Sequence, residues 1–429
     1  MSLRRDADFV VVGAGAVGVS VGYELSRRGA TVQILEAGPR PANGCSFANA
    51  GLLVPSHVEP LANPGNIRAG LRYILDSASP FYLAPRPAVV PWLLRFMMAA
   101  TTAKLAEGTR HLRTLAVESL QMHTDYAGSG METGFRRSGM LDVFYSREKL
   151  RAAERGVLNA ASGLDVRSLD GHQARQLEPA LDGSVAGAIH FPQEGYCDSR
   201  RYVDALASAA KAEGAVIRTG VSVERLRVAG RRVVGVETTE GVVPAGNVVI
   251  AAGIWSKTLA ARAGIKIPME AGTGYVLDIE RGRSDPQIPV AIAEHKIVAT
   301  PYPDRLRLSG TLELSGMYPR MNQKRIDTII RTAATLLPDI CDRRIRMVWS
   351  GQRPCTPDGL PAVGRTSRYD NLSFATGHGQ SGLVLAPATA RQVAEEIITG
   401  CDETPLNPFS PDRFALFNRE EARKTLSTR

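Results

Sequence analysis

The stretch 8-DFVVVGAGAVGVSVGYELSRRGATVQILE-36 predicts a strand, a glycine-rich turn, a helix and a second strand. Its first run is continuously apolar, as in a strand that is buried on both faces of a parallel sheet. The next run has helical spacing and stops at Gly29, and the last run is strand-like again. This order predicts a βαβ unit, from which doubly wound α/β domains are built.

Three glycines in the turn have the spacing G-x-G-x-x-G. Gly13 permits the tight turn, Gly15 lets the backbone approach a pyrophosphate, and Gly18 lets the helix pack closely on the strand. Ala16 opens the helix, whose N-terminus faces the phosphate charge. Glu36 ends the second strand, 18 residues after Gly18, where a carboxylate accepts hydrogen bonds from ribose hydroxyls. The pattern predicts a dinucleotide site, and it does not choose between FAD and NAD.

A second glycine-rich turn lies in 374-FATGHGQSGLVLAPATA-390. A strand-like run leads into Gly377 and Gly379, and a helix is predicted to begin near Ser381 or Gly382. The free N–H groups at such a helix start form an anion site. That site would stabilise the negative charge that a reduced flavin carries on its N1 and C2 carbonyl edge. The two turns can then serve one long ligand, which favours FAD.

Two further segments fit a ligand that runs between these turns. The run VVIAAG at 248–253 ends in small residues at Gly253, as is needed where backbone passes close to a ligand. Val223 begins a strand-like run that is placed to present its backbone to an adenine. Taken singly, each segment is equally consistent with an ordinary strand end.

Length and composition indicate a globular protein of more than one domain. The chain has 429 residues and a net charge of +9, and its basic residues are spread along the chain, so no nucleic-acid partner is predicted. The five scattered cysteines form no CxxC pair, which predicts reduced cytoplasmic thiols and no metal site. The apolar stretch 88–100 is too short to span a bilayer. It is predicted to be a buried helix, with contact to a membrane or a quinone as the alternative.

Five motifs in the same order together resemble the D-amino acid oxidase and glycine oxidase superfamily of FAD-dependent oxidoreductases, with its bacterial D-amino acid dehydrogenases as the nearest members. The motifs are the first glycine turn with Glu36, GCSFANAGLL at 44–53, IAAGIWS at 250–256, GQRPCTPDGLPAVG at 351–364 and ATGHGQSGLVLAPATA at 375–390. The resemblance covers nearly the whole chain. It implies an α/β fold in which a Rossmann-like FAD-binding domain of the glutathione-reductase type is interleaved with an α+β substrate domain on a mixed or antiparallel sheet.

The resemblance also implies a division of the chain into discontinuous domains. The FAD-binding domain is predicted to comprise 1–65, 150–260 and 340–429. The substrate-binding domain is predicted to comprise 66–149 and 261–339.

Site residues follow from the resemblance position by position. Arg353 matches an arginine that grips the substrate carboxylate, with a salt-bridged structural arginine as the alternative. Tyr275 is predicted to line the pocket or to hydrogen-bond the substrate, with an ordinary sheet tyrosine as the alternative. His378 is grouped with these catalytic candidates, although a role in the flavin loop is favoured over that of a base. Besides the residues of the two turns, the predicted FAD-binding residues are Ser46, Asn49, Ala50, Gly51, Leu52, Val223, Gly253, Trp255 and Gln380. Further candidates for the pocket wall are Glu294, His295 and Tyr302.

Two departures from the family limit what is transferred. Gln380 stands where glycine oxidases carry a second arginine, which weakens the transfer of their substrate preference. The positions that hold the flavin covalently in sarcosine and dimethylglycine enzymes carry other residue types, so non-covalent FAD is expected.

The implied activity is oxidative deamination of a D-amino acid to a keto acid and ammonia through an imine, with hydride passing from the substrate Cα to flavin N5. One alternative is the oxidation of secondary or cyclic amino acids such as sarcosine, glycine, D-proline or D-hydroxyproline. Another is a flavin-carrying electron-relay subunit. The expected partners are a small amino acid and a quinone or electron-carrier acceptor. The expected location is cytoplasmic, with peripheral contact at the inner membrane as an option.

Overall fold

The predicted βαβ unit is present in the computed structural model, which describes residues 7–73, 81–160, 164–317, 320–400 and 408–415. Strand β1 (Ala7–Val12) leads through the glycine turn into helix α1 (Ala16–Ser26), and strand β2 (Val32–Glu36) lies parallel to β1. Valines and leucines of this unit are buried on both faces of the sheet, as the continuous apolar run predicts.

The other strands of the described residues are, in chain order, β3 (Leu52–Leu53), β4 (Phe81–Leu83), β5 (Met140–Phe144), β6 (Arg167–Asp170), β7 (Gly187–Phe191), β8 (Gly195–Tyr196), β9 (Val216–Thr219), β10 (Val223–Ala229), β11 (Arg232–Thr238), β12 (Gly241–Ile250), β13 (Glu270–Ile279), β14 (Val290–Ile292), β15 (Ile297–Pro301), β16 (Leu306–Leu314), β17 (Ile345–Cys355), β18 (Ala362–Arg365) and β19 (Leu372–Thr376). The other helices are α2 (Pro64–Tyr73), α3 (Val90–Ala99), α4 (Thr102–Gly128), α5 (Arg147–Ala160), α6 (Gly171–Leu177), α7 (Ser199–Ala212), α8 (Ser256–Arg262), α9 (Gln323–Leu336) and α10 (Gly382–Thr399).

The first sheet has a parallel centre in the order β9-β2-β1-β12-β19. The antiparallel strands β10 and β11 extend from the first half of β12, and β18 pairs antiparallel with β19. Since β1, β12 and β19 are parallel neighbours, Val12, Ile250 and Thr376 end at the same edge of the sheet. The two glycine-rich turns, far apart in sequence, therefore lie at the same sheet edge with only β12 between their strands. Helix α1 packs against α10.

The second sheet is mixed, in the order β17-β13-β16-β15-β14-β5-β7-β6, with β4 paired to β16. Most of its pairs are antiparallel, while β14–β5 and β16–β4 are parallel. One face packs against α9, where Tyr275 and Leu277 of β13 lie in the same apolar core as Ile326 and Ile329. The α/β class and the mixed second sheet are as predicted.

Strand pairing departs from the predicted domain segments at two places. β6 and β7 lie within the segment 150–260, and β17 lies within 340–429, yet these strands pair in the second sheet. A hydrophobic run indicates that a strand exists, but it does not identify the sheet that the strand joins, because that depends on distant partners. The division into two domains itself stays a prediction.

Helix α3, which covers most of the apolar stretch 88–100, is buried on one face only. Trp92 and Phe96 are buried, but Leu94, Met97 and Met98 are 53%, 50% and 60% exposed. The prediction of a buried helix is therefore wrong for the outer face. In the part of the chain that the structure describes, no helix combines the length and the apolar character required to cross a bilayer.

Candidate active site

A cavity of about 2040 Å³ joins the carboxyl edge of the first sheet to one face of the second. Its lining extends from Glu36 and Val223 of the first sheet to Trp349 and Arg353 of the second. The predicted residues that line it are Gly13, Gly15, Ala16, Glu36, Ser46, Asn49, Ala50, Gly51, Leu52, Val223, Gly253, Trp255, Arg353, Gly377, His378, Gly379, Gln380, Ser381 and Gly382. Three predicted residues, Gly18, Tyr275 and Tyr302, are not part of this lining.

Gly18 has the packing role that its place in the glycine pattern predicts. A Cβ built on Gly18 would lie 2.0 Å from the carbonyl oxygen of Gly13, so no larger residue fits between helix and turn. Gly13 itself has φ +105°, a backbone conformation that side-chain-bearing residues rarely adopt. The turn therefore requires both glycines before any ligand is considered.

Two side chains, Glu36 and Ser46, accept hydrogen bonds from backbone N–H groups at the first glycine turn. Glu36 Oε2 accepts a hydrogen bond from the backbone N–H of Ala14 at 2.8 Å, and its Oε1 accepts one from Gly38 at 2.8 Å. Ser46 Oγ accepts a hydrogen bond from the N–H of Ala16, in the first turn of α1, at 2.9 Å. A carboxylate offers about four acceptor positions, so Glu36 is held in place with capacity left for ligand hydroxyls.

The second glycine turn leads into the N-terminus of α10. Gly377 has φ +78° and Gly379 has φ +54°. Helix α10 begins at Gly382, as predicted, and no side-chain hydrogen bond from its N-cap residue Ser381 caps it. The first residues of α10, Gly382, Leu383 and Val384, line the cavity. Their N–H groups have no partner within the helix.

His378 lines the cavity, but its contacts indicate a structural role in the turn before α10. Its Nε2 is 3.1 Å from Thr389 Oγ1 on α10. Burial lowers the pKa of His378 to about 3, so the imidazole is neutral and only a weak base near pH 7. This fits the predicted role in the flavin loop better than that of a catalytic base.

Arg353 extends from β17 over Gly274 of the neighbouring strand β13. A Cβ built on Gly274 would lie 2.2 Å from Arg353 Nη2, so only glycine leaves room for the guanidinium. Arg353 Nη1 donates to the carbonyl oxygen of Thr311 at 2.9 Å. Among the described residues no carboxylate forms an ion pair with Arg353. Burial lowers the pKa of this arginine. Its side chain is half-buried and lines the cavity, where it offers a cation without a carboxylate partner among the described residues.

An indole lies beside this guanidinium. Trp349 leans over Gly351 on the same strand, where a built Cβ would lie 2.1 Å from Trp349 Cη2. Gly351 is the direct antiparallel partner of Gly274, and such paired Cα atoms are about 5 Å apart. The paired glycines thus form a floor that carries the guanidinium and the indole side by side, an arrangement suited to a carboxylate attached to an apolar group.

Tyr275 does not belong to the pocket wall, so its position favours the alternative of an ordinary sheet tyrosine over the predicted contact with substrate. Side chains alternate between the two faces of a strand, and Gly274 and Val276 face the cavity. Tyr275 therefore points to the α9 side, where it is fully buried and its hydroxyl donates to Glu313 Oε2 at 3.3 Å and accepts from Asn322 N at 3.2 Å. Burial raises the pKa of Tyr275 to about 12.

This position leads to a testable expectation for Tyr275→Phe. Steady-state kcat and KM are expected to stay within about twofold of the wild type, because the hydroxyl contacts neither the cavity nor Arg353. The free energy of unfolding is expected to fall by about 2 kcal/mol, since two buried hydrogen bonds of about 1 kcal/mol each are lost. A KM rise of tenfold or more would contradict this placement.

Of the three further candidates for the pocket wall, two line the cavity and one, Tyr302, does not. Glu294 and His295 line the cavity, and the Glu294 carboxylate accepts hydrogen bonds from Tyr145 N at 3.3 Å and Ser146 N at 2.9 Å. Tyr302 is 2% exposed and lies beneath the loop that contains Gly51. Its hydroxyl donates to the Cys197 carbonyl oxygen at 3.1 Å. Tyr302 therefore supports the wall from behind.

The loop with Asn49, Ala50 and Gly51 is held from below by a buried ionic network. Arg307 Nη1 donates to the carbonyl oxygen of Asn49 at 2.8 Å, and its Nε and Nη2 bind the Asp278 carboxylate at 2.6 and 2.8 Å. Gly51 has φ +77°, and a Cβ there would lie 1.9 Å from the Tyr302 hydroxyl. The second sheet thus fixes a loop that lines the cavity.

Sequence reasoning missed a group of ionisable residues at the cavity wall, in which His57 and Asp142 line the cavity and the buried Glu194 lies behind them. His57 Nε2 lies 2.9 Å from Asp142 Oδ2, and His57 Nδ1 lies 3.6 Å from Glu194 Oε2. Burial alone would lower the pKa of His57, but the two carboxylates raise it well above its usual value. The three residues are far apart in sequence and form no motif, so no local signal identifies them.

A family model described as FAD dependent oxidoreductase matches residues 8–396. The chain belongs to this family. A D-amino acid dehydrogenase from Cereibacter sphaeroides is 35% identical over 91% of both chains. A D-amino-acid oxidase from Bradyrhizobium diazoefficiens is 32% identical over 94% of this chain and 98% of that one. A glycine oxidase structure from Bacillus cereus, 24% identical, superimposes with a TM-score of 0.74 over 92% of this chain and 96% of its own, which supports the fold alone.

The cavity of this FAD-dependent oxidoreductase fits its family's cofactor. Gly253 and Gly379 both line the cavity with positive φ, and no atom lies within 4 Å of a Cβ built on either. Side chains at these positions would project into space that the glycines leave open. The volume is also ample, since pockets for drug-sized ligands measure about 300–1,000 Å³, so room remains for a substrate beside a dinucleotide.

Proposed function

We propose that this FAD-dependent oxidoreductase oxidises the Cα–N bond of D-amino acids, giving an imine that water converts to a keto acid and ammonia. Relatives named D-amino acid dehydrogenase and D-amino-acid oxidase, which align with more than nine-tenths of the chain, support this substrate class. The observation that carries the proposal is Arg353, a half-buried guanidinium without a carboxylate partner among the described residues, at the wall of the cofactor cavity. Such a cation favours a carboxylate ligand.

The chain's own groups have distinct tasks in this proposal. Arg353 binds the substrate carboxylate and fixes the orientation of Cα, so that positioning provides most of the rate enhancement. Bound FAD supplies the hydride acceptor. The N–H groups at the start of α10 favour negative charge at their end of the cavity. A neutral substrate amine requires no strong base, which agrees with the low basicity of His378.

The cofactor contacts are proposed in the same way. Glu36 would hold the ribose, Ser46 and the turn from Gly13 to Ala16 the pyrophosphate, and Val223 the adenine. Gly253, Trp255, Gln380 and the loop from Asn49 to Leu52 would surround the flavin together with the second glycine turn. Non-covalent attachment is part of this proposal.

An oxidoreductase of this kind must pass its electrons onward. We propose a quinone or an electron-carrier protein as the acceptor. The outer face of α3, where Leu94, Met97 and Met98 are at least half exposed, is compatible with peripheral contact at a membrane. The cytoplasmic location and contact at the inner membrane stay predictions.

A substrate panel tests the proposal. Purified yellow protein is mixed anaerobically with D-amino acids, their L-enantiomers, and N-methylated or cyclic amino acids, and loss of the oxidised flavin absorbance is recorded. Only the D-amino acids are expected to bleach the flavin rapidly. Turnover with oxygen and with a soluble quinone analogue then identifies the acceptor.

Each other pattern contradicts the proposal in a recognisable way. Reduction by N-methylated or cyclic amino acids alone would indicate a secondary-amine enzyme. Reduction by no amino acid, in protein that is yellow and accepts electrons from dithionite, would indicate an electron-relay subunit.

A further inference from the structure

Thr311 has an unusual backbone conformation next to Arg353. Its φ is +65°, a value rarely adopted by a β-branched residue. The strain lies at a bulge, because β13 advances from Thr273 to Tyr275 while β16 advances from Glu313 to Gly310. One extra residue on β16 is therefore accommodated here, and such bulges change the direction of backbone and side-chain groups.

The bulge directs the Thr311 carbonyl at the substrate arginine. Arg353 Nη1 donates to that oxygen at 2.9 Å, which fixes one edge of the guanidinium and leaves its other N–H groups for a ligand. The residue with left-handed backbone is Thr311 and not its neighbour Gly310, although glycine would adopt this conformation without strain. Backbone strain of this kind is unfavourable and clusters at functional sites.

The Thr311 hydroxyl provides an independent observation. Thr311 is 6% exposed and lines the cavity. Its Oγ1 is buried and forms no hydrogen bond with any described residue. A buried hydroxyl without a partner is unfavourable. Rotation of the Thr311 side chain toward a group bound in the cavity beside Arg353 would therefore give this hydroxyl a partner.

We propose that the Thr311 hydroxyl donates a hydrogen bond to the same substrate carboxylate that Arg353 binds. Thr311 then acts twice, since its carbonyl orients the guanidinium and its hydroxyl completes the anion site. This inference rests on the proposed function only in taking the ligand to be a carboxylate of an amino acid. It adds a specificity residue from a strand bulge for which the sequence motifs give no signal.

The test uses acetate as the probe, because acetate carries the carboxylate without the reacting amine. Holoenzyme is titrated with acetate and, as a neutral control of the same shape, with acetamide, and the change in flavin absorbance gives the dissociation constants. Thr311→Val and Thr311→Gly both remove the hydroxyl, and the glycine variant also removes the backbone strain. Thr311→Ser retains the hydroxyl. Thr273→Val is the matched control, because the Thr273 hydroxyl is also buried and without a partner among the described residues but does not line the cavity.

Acetate is expected to bind the valine and glycine variants about tenfold or more weakly, as is typical when a hydrogen bond to a charged group is lost. The serine variant and Thr273→Val are expected to bind acetate as the wild type does. In turnover, the loss is expected to appear chiefly in KM. The glycine variant is expected to melt at or above the wild-type temperature, so misfolding cannot mimic the result.

Three results would overturn the inference: unchanged acetate affinity in Thr311→Gly, equal losses in the serine and valine variants, or wild-type protein that binds acetate no better than acetamide. Acetate binding requires no turnover. A substrate panel without an active D-amino acid would therefore overturn the proposed reaction alone, whereas the titration decides the role of Thr311.

Discussion

Replacing Arg353 with alanine is expected to lower kcat/KM for the preferred amino acid by about a hundredfold or more, chiefly through a higher KM. The loss corresponds to about 3 kcal/mol of binding energy, which is typical when one partner of a buried, hydrogen-bonded charge pair is removed. FAD content is expected to be unchanged, because Arg353 extends over the glycine floor of the second sheet and not toward the first glycine turn. Steady-state kinetics and the ratio of flavin to protein absorbance measure the two effects.

Two variants control this experiment. Arg353→Lys retains the charge but not the planar fork, so an intermediate KM is expected. Arg346→Ala removes an exposed arginine of the same strand, which donates to the Asp304 carbonyl oxygen at 2.8 Å and pairs with Glu280 at 3.4 Å. That variant is expected to keep wild-type kinetics. An unchanged KM in Arg353→Ala would favour the electron-relay alternative, and loss of FAD would assign Arg353 to the cofactor instead.

The meeting of the two glycine-rich turns was predictable because each turn follows a strand-like run and both turns were assigned to one long ligand. Parallel strands end at the same edge of a sheet, so Gly13 and Gly377 had to lie at one edge once both strands joined one sheet. The helix start at Gly382 was predictable because a glycine-rich turn is followed directly by a run with helical spacing. The residues around the proposed cofactor site thus lie in a few contiguous stretches of sequence.

The substrate side of the cavity was harder to predict. β13 is buried on both faces, so its sequence shows no alternation of polar and apolar residues that would distinguish the two sides. Tyr275 was therefore offered for the pocket, from which it points away, whereas Arg353, expected at the pocket from its motif, lines the cavity. The strain at Thr311 depends on a bulge between two strands, and the contacts of His57 join residues from three distant segments. Neither feature has a local sequence signal.

The second large effect is expected for Asp278→Ala. Arg307 is 3% exposed, and the Asp278 carboxylate binds its guanidinium through two hydrogen bonds. Removing the carboxylate takes the hydrogen-bonded counter-charge from the buried Arg307 and a second partner, at 3.1 Å, from Arg305, a kind of loss that typically costs about 3–5 kcal/mol of stability. Urea denaturation of the holoenzyme is expected to show that loss. The matched control is Asp304→Ala, since Asp304 pairs with Arg305 at 2.7 Å but has a side chain that is 59% exposed; its loss is expected to cost at most about 1 kcal/mol.

Arg307 contacts both Asp278 and the cavity loop at Asn49. A double variant separates its effect on stability from its effect on FAD binding. In Asp278→Leu with Arg307→Met the ion pair is replaced by apolar side chains, a change that is often neutral for stability. Most of the free energy of unfolding is therefore expected to return. FAD affinity is expected to stay about tenfold lower than in the wild type, because the Asn49 carbonyl has still lost the donor that holds its loop. Quenching of FAD fluorescence on titration with apoprotein measures this affinity. If affinity recovers together with stability, the arginine supports the fold but does not position the loop that lines the cavity.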